Sequence, residues 1–272
     1  MSRRILLFIA VIALLAGTAQ AQTLLIADQD NTLFEVPADD GSAGSSDVSN
    51  GAGPHLFTGN ATALRRALVR FDTSAIAPGT PVLNATLLLT MDRSIVGDTD
   101  VAVHRVTAAW GEGASDSSVD GGGGGGGGTG APAQTGDATW RHTFFDSDFW
   151  TTEGGDFVAA PSAIQTIGGV GNYQWETAGL AADVQAWIDD PSSNHGWILV
   201  GDESDIDTFS AKRWISREGT LETALGAPDQ PTLVLSLGTP AAEIPTMSQW
   251  GLLAMGLLLA GFAFYRLRRL DA

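Results

Sequence analysis

Two stretches of alternating side chains, one turn apart, constrain the fold of this chain most. In Arg65-Arg66-Ala67-Leu68-Val69-Arg70-Phe71-Asp72, a strand would put Ala67, Val69 and Phe71 on one face. Arg66, Leu68, Arg70 and Asp72 would take the other, because strand side chains alternate. Leu83 to Met91 repeats the pattern, with Ala85, Leu87, Leu89 and Met91 sharing a face. Between them, Ala77-Pro78-Gly79-Thr80-Pro81 has the chemistry of a turn. Two half-buried strands so joined are the seed of an all-β domain. Thr23–Ala27, Val101–Val106, Asn172–Glu176, Gly196–Val200 and Thr232–Leu237 read as further short strands. Short strands between turn clusters favour a jelly-roll-like, two-sheet β-sandwich. One short helix is expected, because Leu180, Val184, Trp187 and Ile188 recur at helical spacing before Asp190-Pro191. Residues 37–54 read as a long loop. Residues 111–137, with glycine at every position from 121 to 128, read as a flexible insert.

The two ends read as addresses. Met1-Ser2-Arg3-Arg4, an apolar run from Ile5 to Leu15, and a small-residue site at Ala19 and Ala21 are the parts of a secretory signal peptide over 1–21. At the other end, 250–265 reads as a transmembrane helix with Trp250 and Tyr265 at its borders, followed by Arg266, Arg268 and Arg269. Its fifteen residues from Gly251 rise only about 22 Å, short of a ~30 Å hydrocarbon core. The preceding Ile244-Pro245-Thr246-Met247-Ser248-Gln249-Trp250-Gly251 resembles the IPTL-CTERM sorting signal of Gram-negative bacteria, with Met247 in place of the family's leucine. The resemblance covers 245–272 and the last residue of a linker over 238–244. It implies recognition by an exosortase-type membrane protease, transient anchoring in the inner membrane, and delivery to the cell surface or outer envelope.

Charge separates the ends from the middle. The chain carries 14 basic and 31 acidic residues. Arg3, Arg4, Arg266, Arg268 and Arg269 lie in the terminal segments, with Asp271 the one acid there. Residues 22–244 therefore hold 9 basic and 30 acidic residues, a net −21. So acidic a surface repels nucleic acid, which is not an expected partner. Cysteine is absent, which excludes disulfides, thiolate metal sites and a cysteine nucleophile.

The middle segments, taken in order, look like the DNRLRE domain over 22–237. The carrying residues are Arg66 to Asp72 with Ile76 to Thr80, Asn84 to Leu87, Val106 to Gly113 and Ala138-Thr139-Trp140. They continue with Asp183 to Trp187, Asn194 to Leu199, Ala211 to Arg213, Ser216-Arg217-Glu218 and Pro231-Thr232-Leu233. The resemblance implies a jelly-roll sandwich of bacterial surface and secreted proteins, some of which bind acidic polysaccharide such as alginate. The run of eight glycines departs from the compact pattern.

Candidate chemistry is sparse. His55, His104, His142 and His195 lack metal-ligand spacing, and no Gly-x-Ser-x-Gly elbow marks a nucleophile. An enzyme is not expected. A polysaccharide lyase or hydrolase would need carboxylates converging in a cleft. Asp28 and Asp30 in one acidic cluster, with Asp202 and Asp205 in another, offer the hard oxygens that Ca²⁺ takes; solvated turns explain them as well. Trp140, Trp150, Trp175 and Trp214 are candidates for stacking on extracellular polysaccharide, or for the core. Arg66, Arg70, Lys212 and Arg213, with Arg65 and Arg217, could form a basic strip for an anionic glycan, or could pair with nearby acids.

Overall fold

The computed structural model describes residues 21–35, 47–119, 128–204, 209–219, 230–239, 251–252, 254–260 and 262. The chain divides into two compact units, Met1–Thr239 and Pro240–Ala272. In the first, the strands in chain order are β1 (Ala21–Ile26), β2 (Gln29–Phe34), β3 (Val48–Ser49), β4 (His55–Asn60) and β5 (Leu64–Arg70). Then come β6 (Val82–Ser94), β7 (Thr99–Arg105), β8 (Ala131–Pro132), β9 (His142–Phe144) and β10 (Asp148–Phe149). The last five are β11 (Ala163–Ile167), β12 (Gly171–Glu176), β13 (Trp197–Val200), β14 (Lys212–Ile215) and β15 (Thr232–Leu237). The helix α1 (Ala178–Asp189) and a 3-10 turn over Pro191–Ser193 lie between β12 and β13.

Eleven strands form one curled antiparallel sheet with two halves. In the first half, β2, β5, β13, β7 and β11 follow one another. The second half is built on β6. Leu88 pairs with both Gln174 and Thr232, so β12 lies on one edge of β6 and β15 on the other. Farther along, Met91 pairs with Gly171 and Trp214, so β14 continues the edge that β15 began. β1 lies beyond β15, and β4 beyond β14. β4 joins the halves: His55 to Thr58 pair with β14, while Gly59 and Asn60 pair with β5. At this crossing Gly59 has φ +86, and a Cβ there would stand 2.8 Å from the Ser210 carbonyl oxygen. Only glycine accepts both conditions.

The alternation of the two opening stretches is what the core uses. Ala67, Val69 and Phe71, with Ala85, Leu87, Leu89 and Met91, lie buried in one hydrophobic cluster. Leu180, Val184, Trp187 and Ile188 of α1 enter the same cluster, as their spacing predicts. The helix starts where the Thr177 hydroxyl accepts from the Leu180 amide, and it packs against β6.

The far face of β5 is covered too. Leu68, with Leu33 and Ile198, packs against Val106, Trp110, Ala138, Trp140 and Trp150 in a second cluster. The stretches around Val106–Trp110 and Ala138–Phe157 thus lie over the first half-sheet. This corrects two expectations. Much of the expected 111–137 insert is packed: Ser115, Ser117, Ala131 and Asp137 are buried, and the Asp137 carboxylate accepts from the amides of Ala114 and Gln134. Residues 120–127 lie outside the described residues. Part of the expected 37–54 loop likewise becomes β3, paired with β8.

The tryptophans proposed as stacking platforms are core. Trp140, Trp150, Trp175 and Trp214 are 7, 5, 1 and 0 % exposed. Their indole N–H groups bind inward where the partner is known: Trp150 to the Thr139 carbonyl, Trp175 to that of Val101, Trp214 to the Thr58 hydroxyl. A ring so enclosed has no face left for a sugar.

In the second unit, residues 251–252, 254–260 and 262 are helical. Among the described residues no helix is long and apolar enough to cross a membrane. Of the expected 250–265 helix, residues 250, 253, 261 and 263–265 lie outside the described residues. So do the signal segment through Ala19, and Ile244, Pro245, Thr246, Met247, Arg266, Arg268 and Arg269.

Burial of Trp150 under the long excursion makes it a stability determinant. Trp150→Ala should lower unfolding free energy by about 3–5 kcal/mol in urea titrations.

Candidate functional site

Of the nine basic residues between the two ends, six are held by carboxylates. Arg66 is bidentate on Glu203, at 2.9 and 2.7 Å, with its guanidinium 4.8 Å from the Trp140 ring centroid. Arg70 is held by Asp28, Arg105 by Asp183, and Arg141 by Asp47. Arg213 is held by Asp92, and Arg217 by Glu112 and Glu218. The remaining three, Arg65, Arg93 and Lys212, have no carboxylate partner among the described residues. All three line one groove of about 230 Å³, with Arg213, Phe57 and Ile95 beside them.

The groove follows from the strand register. On β14, Arg213 sits opposite Phe57 of β4 on one side and Arg93 of β6 on the other. Like charges directly opposite repel, so an Arg–Arg pair needs negative charge nearby. Asp92 supplies part of it. The ladder skips Asp92, since Trp214 pairs with Met91 and Arg213 with Arg93. Such a bulge re-aims a side chain. The Asp92 carboxylate accepts from Arg213 at 2.8 and 2.6 Å and lies 3.3 Å from the His55 ring. Burial opposes ionisation of Asp92. Hydrogen bonds from His55 and Arg213, with the charge of Arg213, outweigh it and hold the carboxyl at about 2. Arg93 stays exposed, with no carboxylate partner among the described residues.

Arg65 and Lys212 are buried cations solvated by the chain itself. Arg65 is 6 % exposed and donates to the carbonyls of Gly128, Ala61 and Ala63. The Lys212 amine, on the chain's one lysine, reaches the Ser94 hydroxyl at 3.1 Å and the Gly97 carbonyl at 2.7 Å. Burial lowers the pKa of both groups.

The four aspartates read as calcium ligands do not converge. Asp28 holds Arg70, and Asp202 accepts from the amide and hydroxyl of Ser204. Asp205 lies outside the described residues. Asp30 joins a different set. It is fully buried on β2, and its carboxylate lies with those of Glu112 and Glu218, their nearest oxygens all within 4.8 Å of one another. Glu112 follows Trp110-Gly111 and Glu218 follows Ser216-Arg217, in turns that sequence reasoning quoted for order but not for chemistry. No spacing rule links residues so far apart; only the sheet's closure does. Arg93 was missed for the same reason, since what marks it is having no carboxylate partner among the described residues.

Ion pairs also absorb the expected basic strip: Arg66 and Arg70 are committed to acids well away from the groove, whereas Lys212 and Arg213 line it. A broader hollow of about 650 Å³ lies beside Arg66, Asp156 and Phe157. Arg66 there is committed to Glu203, and Asp156 accepts from the amides of Thr151 and Thr152.

The address at the chain's end is independent of these sites. Residues 244–269 match the IPTL-CTERM motif. No curated protein matches the chain. The motif is a C-terminal sorting signal processed by exosortase, a membrane enzyme. It implies export and a cell-envelope location in Gram-negative bacteria.

Asp92 gives this region a pH signature. Its folded-state pKa lies below the unfolded value, so its stabilisation is complete above about pH 4 and lost as pH falls through about 2. Asp92→Asn should cost about 1–2 kcal/mol at pH 7, allowing for partial solvent screening. Urea titrations at pH 7, 4 and 3 should find a shallower loss below pH 4 in the variant than in the wild type.

Proposed function

We propose that this chain is a non-catalytic surface protein, exported by its leader, processed at its C-terminal signal, and displaying a jelly-roll-like domain of DNRLRE type. The observation that carries the reading is the sorting motif over 244–269. The family assignment of the domain rests on the ordered sequence segments, and the curled antiparallel sheet is compatible with it. Mass spectrometry of the protein from native envelopes should find a mature chain that lacks the residues after Trp250. A full-length tail in sorting-competent cells would overturn the processing claim.

A second, more specific reading is favoured by one observation: the three cations without carboxylate partners share one groove. In a domain of net −21, a groove lined by four cations, with Asp92 paired to Arg213 and Asp98 acting on Lys212, is where an anion meets least repulsion. Phe57 and Ile95 give the groove apolar walls, and Arg93 an exposed guanidinium suited to a carboxylate. The ligand that fits is a uronate unit of an extracellular acidic polysaccharide, so the domain would serve adhesion to matrix. Stacking on tryptophan plays no part in it.

Retention on alginate beads, against neutral dextran beads and in EGTA, tests this directly. The wild type should be held on alginate alone and released by salt. Arg93→Glu, at an exposed site, should weaken retention at least tenfold without altering the unfolding transition. Equal behaviour on both beads, or an unaffected Arg93→Glu, would overturn the glycan reading and leave the sorting claim standing.

A further inference from the structure

We propose that Asp30, Glu112 and Glu218 form a Ca²⁺ site that ties β2 to the two turns following Trp110 and Ile215.

The first observation is convergence. Three carboxylates from sequence positions up to 188 residues apart bring one oxygen each within 4.8 Å of the others. The second is independent of it: Asp30 is 0 % exposed, and its Oδ1 has no hydrogen-bond partner. Its other oxygen accepts the Arg217 amide at 2.7 Å. A buried carboxylate oxygen left bare is costly. It needs either a proton or a cation.

Charge decides between residents. Arg217 is the one cation in the cluster. Its guanidinium spans both oxygens of Glu112, at 3.1 and 2.9 Å, and reaches Glu218 at 2.6 Å. It makes no side-chain contact with Asp30. Three ionised carboxylates against one guanidinium leave two negative charges, which a divalent ion would balance. Burial, and the charges of the other two acids, push the Asp30 carboxyl well above its usual range; Glu218 is raised as well. Asp116 lies near enough to act on Glu218 and adds to the field.

The donors choose the ion. All are carboxylate oxygens, with no histidine or cysteine in the set, which suits a hard cation. Ca²⁺ accepts irregular oxygen sets completed by water or carbonyls, whereas Mg²⁺ demands near-octahedral order. The surroundings hold the set in place. The Asp30 amide donates to Glu112 Oε1 at 2.9 Å, and the neighbouring Asn31 amide group donates to the Glu112 carbonyl at 2.7 Å. Gly51 packs so close that a Cβ there would meet that carbonyl oxygen at 1.7 Å.

The test uses the full-length protein in detergent, stripped with EGTA and titrated with CaCl₂ or MgCl₂. Equilibrium dialysis should find saturable Ca²⁺ binding. The melting temperature should rise by about 5–10 °C at Ca²⁺ a hundredfold above Kd, with a smaller rise in Mg²⁺. Asp30→Asn, which keeps the shape and removes the charge, should abolish the rise. Should Asp30→Asn fail to fold, Glu218→Gln at the more exposed edge serves instead and should weaken binding at least tenfold. No saturable binding in the wild type overturns the proposal. So does a rise of equal size in the variant, which would place the ion elsewhere on the acidic surface. Retention on alginate in EGTA is read separately, so neither result decides the other.

Discussion

The length of β6 is the constraint on which the rest depends. A strand of thirteen residues exposes more backbone donors and acceptors than one neighbour can satisfy. β12 takes one edge, while β15 and β14 divide the other. That division forces β15 and β14 to lie end to end, and it brings β14 beside β4, where the two half-sheets join. β6 passes from β15 to β14 between Leu88 and Met91, and the ladder's irregularity at Asp92 falls just inside the β14 stretch. That bulge turns a carboxylate toward Arg213. The groove is a consequence of how β6 is shared.

Charge is the second organising term. A domain this acidic must spend its few cations carefully, and the long-range pairs have a pattern. Arg66–Glu203, Arg141–Asp47 and Arg217–Glu112 link residues 137, 94 and 105 positions apart. The second and third fasten covering segments, whereas Arg66 projects from β5 and the Arg213–Asp92 pair joins β14 to β6 within the sheet. Partly buried pairs of this kind add modest net stability, because desolvation offsets attraction. Losing one partner is the costly event, since the other is left buried and alone. The pairs thus select one arrangement of the loops over others, in a chain with no disulfide to do so.

How much of this was legible in the sequence depends on the range of the interaction. The faces of β5 and β6, the stripe of α1 and seven of the fifteen described strands could be read, because alternation and helical spacing are local and survive folding. Leu68 was placed on the face opposite Val69, and it lies there. The second cluster was not legible. Trp140 and Trp150 sit among aspartates and glycines, in a stretch whose composition resembles loop. They are buried because the stretch from Ala138 to Phe157 packs over Leu68 and Ile198, and no local pattern encodes that placement. The same limit applies to the sites. Asp28 and Asp30 look alike in sequence, yet one meets Arg70 at the surface and the other is enclosed with Glu112 and Glu218. Cross-sheet register, not spacing, separates them.

Asn31 joins these strands of argument. Its side-chain oxygen accepts from the amides of Thr32 and Asn50 and from the Ser49 hydroxyl, and its amide donates to Glu112. Ser49 in turn donates to the Ala138 carbonyl. One fully buried amide thus gathers β2, β3, the turn at Glu112 and the approach to Trp140. A half-satisfied network of this depth would be worse than an apolar core, and a filled one fixes a single geometry. Asp30, the preceding residue on the same strand, is left with a bare oxygen beside this satisfied centre. The contrast between neighbours locates the unmet charge, and it does so in the part of the molecule where the surrounding backbone has least freedom to relieve it.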